Sequence, residues 1–171
     1  MTCLLASFWM TFQIIKHYED TMKNLINKTL VSSAGLEAVI LRAPIGLILA
    51  AHGGQKLFAW FGGYGLEGTG QWMASVGLNP GYIMALLAGS AEFFGGIALI
   101  LGLLTRPAAL VNAITMLVAL LWVHWGNGFF LDAHGIEYAL ALLSATAALV
   151  FIGGGRYSLD RYLIDANLLG D

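Results

Sequence analysis

Four stretches of the chain, 36–58, 81–104, 107–125 and 136–152, are apolar almost throughout and are separated by shorter polar or glycine-bearing connections. A helix needs about 20 mostly apolar residues to cross a hydrocarbon core of about 30 Å, so each stretch is read as a membrane span. Helix punctuation falls at their ends. Asn79-Pro80 reads as an N-cap followed by proline at the first helical position. Thr105-Arg106-Pro107 repeats the device before the third span, and Gly153-Gly154-Gly155 ends the fourth. Pro44 lies inside the first span, where a kink is expected and membrane helices tolerate it. The pattern predicts an all-α polytopic membrane protein, a four-transmembrane-helix bundle with short interfacial helices.

Three segments outside the spans have weaker patterns. Residues 1–35 form an N-terminal extension, cytoplasmic or interfacial; 1–15 is apolar but too short to span, and lacks the basic start and small-residue cleavage site of a signal peptide. Met22 followed by Lys23 reads as an alternative translation start. Between the first two spans, 62–77 carries Leu66, Trp72, Met73 and Val76 among its glycines, which predicts an outer loop with a short helix on or dipping into the membrane surface. In the tail, 153–171, Ser158 can cap a helix with Leu159, Tyr162, Leu163, Ala166 and Leu169 on one face, an amphipathic helix for the cytoplasmic surface.

Charge orients the bundle. Lys23 and Lys28 precede the first span, Arg106 separates the second from the third, and Arg156 and Arg161 follow the fourth, whereas 59–79 and 126–135 hold no Lys or Arg. By the positive-inside rule both termini are cytoplasmic. Trp60, Trp72, Trp122 and Trp125 then gather at the outer boundary as an aromatic belt. A hydrophobic fraction of 58% against 11% charged residues leaves too little polar surface for a soluble domain and sets the lipid bilayer as the first partner. A net charge of -2 gives no reason to expect nucleic acid. Cys3 is the single cysteine, which excludes an internal dithiol.

Ionisable groups within a span usually mark a pathway, a relay or a binding site. Counted from the cytoplasmic end at helical rise, Arg42 lies ~9 Å deep, Glu92 ~18 Å, His52 ~24 Å, His124 ~25 Å and Lys56 ~30 Å. Glu137 opens the fourth span at the outer surface. Ala88, Glu92 and Gly96 share one face of the second span, and Arg42, Gly46, Gly53 and Lys56 a narrow arc of the first. Glu137 shares a stripe with Ala141, Ser144 and Ala148, so these three polar faces are expected to meet in the core. Asn112 and His124 fall about 120° apart and need not share a site. A midplane carboxylate must be paired or protonated; the sequence leaves open whether Glu92 pairs with Arg42 or His52. Arg42 can alternatively snorkel to the inner surface, and Lys56 can serve as an interfacial anchor. His52 and His124 match in depth as two haem ligands would, and His134 and Glu137 are three apart. No H-E-x-x-H, C-x-x-C-H or closely spaced ligand set accompanies them, so no metal site is assigned.

The run Ala91-Glu92, Gly95-Gly96, Leu101-Gly102-Leu103-Leu104-Thr105-Arg106-Pro107-Ala108-Ala109 resembles the signature of the DoxX family. Arg42, Gly46, His52-Gly53 and Lys56-Leu57-Phe58 sit where such proteins carry similar residues, and Gly65-Leu66-Glu67-Gly68-Thr69 with Gly77-Leu78-Asn79-Pro80 matches the family style. The likeness covers 36–164, leaving the N-terminal extension outside it. It implies a four-helix inner-membrane protein linked to oxidoreductase systems and, in some relatives, to quinone reduction; the family name traces to relatives of a thiosulfate:quinone oxidoreductase subunit. Fold is better supported by such membership than activity.

The expected function is that of a membrane subunit of a redox system that binds a quinone-like molecule among its helices, alongside a soluble oxidoreductase partner. Glu92 would move a proton, with Arg42 or His52 setting its charge state; Lys56, His124 and Glu137 would contact the ligand. Two alternatives stand beside this. A scaffold for a soluble partner would use the buried charges as a specificity network. A small-molecule or proton transporter is disfavoured because four spans without an internal repeat are few for alternating access.

Overall fold

The computed structural model describes residues 2–166, apart from the side chains of 2–8, 11, 12, 19 and 26–28. Met1 and Leu169 of the tail stripe lie outside the described residues, as do the side chains of Cys3 and Lys28. All regular structure among the described residues is helical. In chain order it runs α1 (Thr2–Leu30), α2 (Leu36–Phe58), a 3-10 turn (Trp60–Gly62), α3 (Gly65–Ser75), α4 (Gly81–Leu101) and α5 (Thr105–Val118). A π-helical turn (Ala119–His124) and a 3-10 turn (Trp125–Asn127) extend α5; a further 3-10 turn (Leu131–Ala133), α6 (Glu137–Ile152) and α7 (Leu159–Asp165) complete the chain. Three of these elements are long and apolar enough to cross a membrane, Leu36–Phe58, Gly81–Leu101 and Thr105–Asn127, and α6 is a shorter apolar helix packed with them. The result is an all-α polytopic membrane protein whose outward-facing leucines, isoleucines and phenylalanines contact lipid.

Small residues bring the crossings together. Lipid supplies no hydrophobic drive between helices, so close packing has to. The buried face of α2 is Ala38, Arg42, Gly46, Leu49, Gly53 and Gly54, and that of α4 is Ala85, Gly89, Glu92, Gly96 and Leu99. These two faces form the most extensive helix pair. A Cβ built on Gly46 would lie 2.5 Å from the Gly96 carbonyl oxygen, so the two backbones are in contact. Leu49, Leu99, Ala109, Met116, Leu142 and Leu149 then close a core shared by α2, α4, α5 and α6.

Several boundaries differ from the sequence pattern. Gly102 takes a left-handed φ of 69° and ends the second crossing at Leu101, three residues early. The third crossing starts at Thr105, so Pro107 is its third residue, not its first. Pro80 is the N-cap of α4, with the helix proper beginning at Gly81, and the Asn79-Pro80 bond is cis. The chain runs helically through Pro44. On α6 the buried stripe is Ala139, Leu142, Thr146 and Leu149, whereas Ala141 and Ser144 are exposed; the polar stripe expected to enter the core faces outward. The reason is that Thr146 satisfies its hydroxyl on the Leu142 carbonyl at 2.7 Å and packs as an apolar residue.

Short helices meet expectation in part. The helix expected in 62–77 is α3, seated on α4 through Gly70, which touches Gly81 and Tyr82. Ser158 caps α7 by accepting from the Arg161 N–H at 3.2 Å. Leu159 and Tyr162 face outward as an amphipathic helix requires, but α7 is also pinned inward through Asp160, which is 1% exposed. The N-terminal extension forms α1, which meets the bundle at α5 and α7.

Candidate functional site

Glu92 sits midway along α4 and is buried, and its partner is Lys56 from the last turn of α2. Lys56 Nζ lies 2.5 Å from Glu92 Oε2, with side chains 23% and 4% exposed. An ammonium from the last turn of α2 thus meets a carboxylate halfway along α4. An ion pair in this setting must satisfy its own desolvation, and the pair remains open on one side. It forms a polar part of the lining of a groove of about 450 Å³ between the end of α2, α3, α4 and α5. Met73, Leu78, Met84, Leu87, Val111, Ile114 and Val118 make the walls. Among them Leu87, Val111, Ile114 and Val118 are exposed, so the groove is open rather than enclosed along α4 and α5. Thr115, Trp72 and His124 are its other polar or aromatic contributors.

The six residues singled out in the sequence divide between four places. Glu92, Lys56 and His124 share the groove. Arg42 does not pair with Glu92. Its Nη1 donates to the carbonyl oxygens of Leu99 (2.8 Å) and Ile100 (2.5 Å), and its Nη2 to that of Tyr157 (2.6 Å). Those α4 carbonyls belong to the last turn, at the negative end of the helix dipole, and that of Leu99 also accepts from the Gly102 N–H at 3.2 Å. Arg42 therefore closes the end of α4 and holds the tail. His52 stands against α6, its ring 6.1 Å from that of Tyr138. Glu137 accepts from the Leu131 N–H at 2.7 Å and braces the loop before α6.

Asp160 is a polar residue that the sequence pattern passed over. Its two carboxylate oxygens accept from the Leu104 and Thr105 N–H groups at 2.6 and 2.9 Å, capping α5 from a distant segment. A surface-seeking tail gave no sign of this, because an i, i+3 apolar stripe hides the one carboxylate on the opposite face. The π-turn that carries His124 was equally hidden from a reading at fixed helical pitch.

Because Glu92 is nearly fully buried and Lys56 is partly open to the groove, breaking the pair has an asymmetric cost. Lys56→Met strands the carboxylate and is expected to destabilise by about 2–3 kcal/mol, below the fully buried case because the ammonium is partly solvated. Lys56→Met combined with Glu92→Leu is expected to recover most of that loss. Thermal unfolding of the three proteins in detergent checks this; a double variant weaker than Lys56→Met would show that the pair is not coupled.

The sequence model of the DoxX family matches residues 38–125, which hold α2 to the π-turn and the whole groove. An uncharacterized protein of Haemophilus influenzae is 42% identical over 80 residues, 45% of this chain and 60% of its own length. A Bacillus subtilis protein, CatD, whose name carries a provisional oxidoreductase label, is 31% identical over 134 residues, covering 78% of this chain and 91% of its own. Inner membrane protein YqjF of Escherichia coli is 35% identical over 105 residues, 58% of this chain and 75% of its own. No solved structure gives a significant match. With its family segment coinciding with the helices that build the groove, the chain belongs to the DoxX family.

Proposed function

We propose that this protein is the membrane subunit of a redox system and binds a quinone-like molecule in the groove above Lys56 and Glu92. The observation that carries the reading is the presence of that ion pair in the lining of an otherwise apolar, open groove between membrane helices. A groove of this size and polarity suits one small amphiphile with its apolar part against the walls and its polar part at the pair. A lipid-soluble ligand would enter from the membrane between α4 and α5, without crossing water. A bound quinone would supply two-electron, two-proton chemistry. Lys56 Nζ is placed to donate a hydrogen bond to a ligand oxygen, and Glu92 to hold a proton beside it. The oxidoreductase label on CatD agrees with this class of chemistry. A soluble partner would provide the electrons, and the basic end of the bundle, with Arg106, Arg156 and Arg161, would face it from the cytoplasm. The inner-membrane designation of YqjF agrees with that membrane, and the distribution of arginines would put both termini inside.

The test is purification from native membranes in mild detergent with mass spectrometry of the extracted lipids. Quinone is expected near one per chain in the wild type and strongly depleted in Glu92→Gln and Lys56→Met. A wild-type chain that carries no quinone but retains a soluble partner would replace this reading with a scaffold.

A further inference from the structure

His124 reaches the groove by a route that a regular helix does not provide. The third crossing changes to π-helix over Ala119–His124. An i→i+5 repeat stacks residues five apart, and Ala119 and His124 are such a pair, both lining the groove. At the α-helical turn of about 100° per residue they would diverge by about 140°. Such π-turns are rare in helices and concentrate at functional sites.

The ring is also oriented. His124 Nδ1 lies 2.7 Å from the carbonyl oxygen of His134. A carbonyl only accepts, so Nδ1 carries the hydrogen and donates. In the neutral ring Nε2 is then the acceptor. The His134 carbonyl is held in place by a left-handed turn at that residue (φ 59°), an uncommon conformation without glycine, and by the His134 N–H donating to Leu131 O at 2.8 Å. Asn127 Nδ2 donates to the same carbonyl at 3.4 Å.

With the groove as the ligand site of the reading above, we propose that His124 is its second polar anchor, accepting a hydrogen bond through Nε2 from a hydroxyl group of the ligand. The two anchors differ in kind and position. Lys56 donates, and His124 accepts. Gly95 of α4 meets Asn112 of the antiparallel α5, which sets Glu92 level with Thr115. His124 lies nine residues beyond Thr115, the last of them in the π-turn, so it stands further along the groove than the ion pair, by less than regular α-helical rise would give. A molecule with a single polar head satisfies one end alone, whereas a ring bearing oxygens at opposite positions satisfies both. The ligand class is therefore a lipid-tailed dihydroxy aromatic, the reduced form of a quinone, and its hydroxyl hydrogen is what His124 recognises.

The experiment compares a decyl-tailed benzoquinol with its di-O-methyl ether, which keeps both oxygen acceptors and the tail but has no hydroxyl. Binding to the full chain is measured anaerobically by titration calorimetry in detergent. The wild type is expected to prefer the quinol about tenfold, the range for one well-formed hydrogen bond in a desolvated site. His124→Phe is expected to erase the preference while still binding the ether, and His124→Gln, which keeps an acceptor oxygen, to retain part of it. Equal affinity of the wild type for both probes, or a preference that survives in His124→Phe, overturns the assignment and leaves the groove reading standing. A wild type that binds neither probe overturns both.

Discussion

Gly96→Val is expected to prevent assembly of the bundle, leaving protein that aggregates or elutes as a broad, unfolded species after detergent extraction. A Cβ on Gly96 would lie 2.5 Å from the Ala50 nitrogen and 2.6 Å from the Gly46 carbonyl oxygen. That is roughly 1 Å inside ordinary van der Waals contact, and the atoms it meets are backbone on the neighbouring helix. No rotamer change can relieve it. The helices have to separate, and separation also withdraws Gly46 and Gly53 from their contacts along the same seam. Overpacking costs about 1–3 kcal/mol where a core can adjust; here the adjustment dissolves the largest helix pair in the molecule. Gly126→Ala is the matched control, because a Cβ there meets nothing within 4 Å. Size-exclusion profiles and thermal midpoints of the two variants in one detergent check the expectation. A monodisperse Gly96→Val protein with a wild-type midpoint would mean that α2 and α4 are held by something other than close backbone packing.

Much of this architecture was legible because membrane helices obey a simple length and polarity rule. The first crossing agrees with its apolar stretch at both ends, 36–58. Glu92 was legible for the same reason, since a carboxylate halfway along an apolar helix has no bland explanation. Its partner was not. A count of residues puts Lys56 at the boundary, whereas a four-carbon stem carries the ammonium far from its own Cα. Arg42 was located but misdirected, because carbonyl acceptors at a helix end leave no mark in a sequence, whereas a carboxylate such as Glu92 does. Depth alone marks His124 as a ligand contact, but the means by which it shares a groove with Glu92 was not legible: at 100° per residue its phase is wrong, and the π-turn that corrects it has no residue signature. The α6 stripe failed for a further reason. From Ala139 to Leu149 the helix is Ala, Leu, Ser and Thr alone and has almost no polar face, so small differences in packing decide which side turns inward.

Arg42→Met is expected to release the tail and destabilise the fold by on the order of 5 kcal/mol, the scale of several charge-assisted hydrogen bonds lost together. Arg42 is 3% exposed and holds three carbonyl oxygens, two at the end of α4 and one at Tyr157. Methionine fills a similar length but donates nothing, so the carbonyls of Leu99, Ile100 and Tyr157 each lose a donor. The turn between α4 and α5 makes the loss cooperative. On one side Arg42 meets the negative end of α4; on the other, Asp160 meets the positive end of α5 through the Leu104 and Thr105 N–H groups. Gly102 fits between them because a side chain there would collide with the guanidinium and with Ser158. The tail is thus fastened to both helix ends that it passes, and freeing Tyr157 loosens Asp160 as well. Limited trypsin digestion gives the readout, since Arg156 and Arg161 flank the fastened segment. Cleavage at these two arginines is expected to be slow in the wild type and fast in Arg42→Met and in Asp160→Ala. Arg42→Lys, able to donate to fewer carbonyls at once, is expected to fall between. If Arg42→Met keeps both wild-type protection and a wild-type thermal midpoint, the basic end is held by Asp160 and apolar packing, and the carbonyl contacts of Arg42 contribute little to the fold.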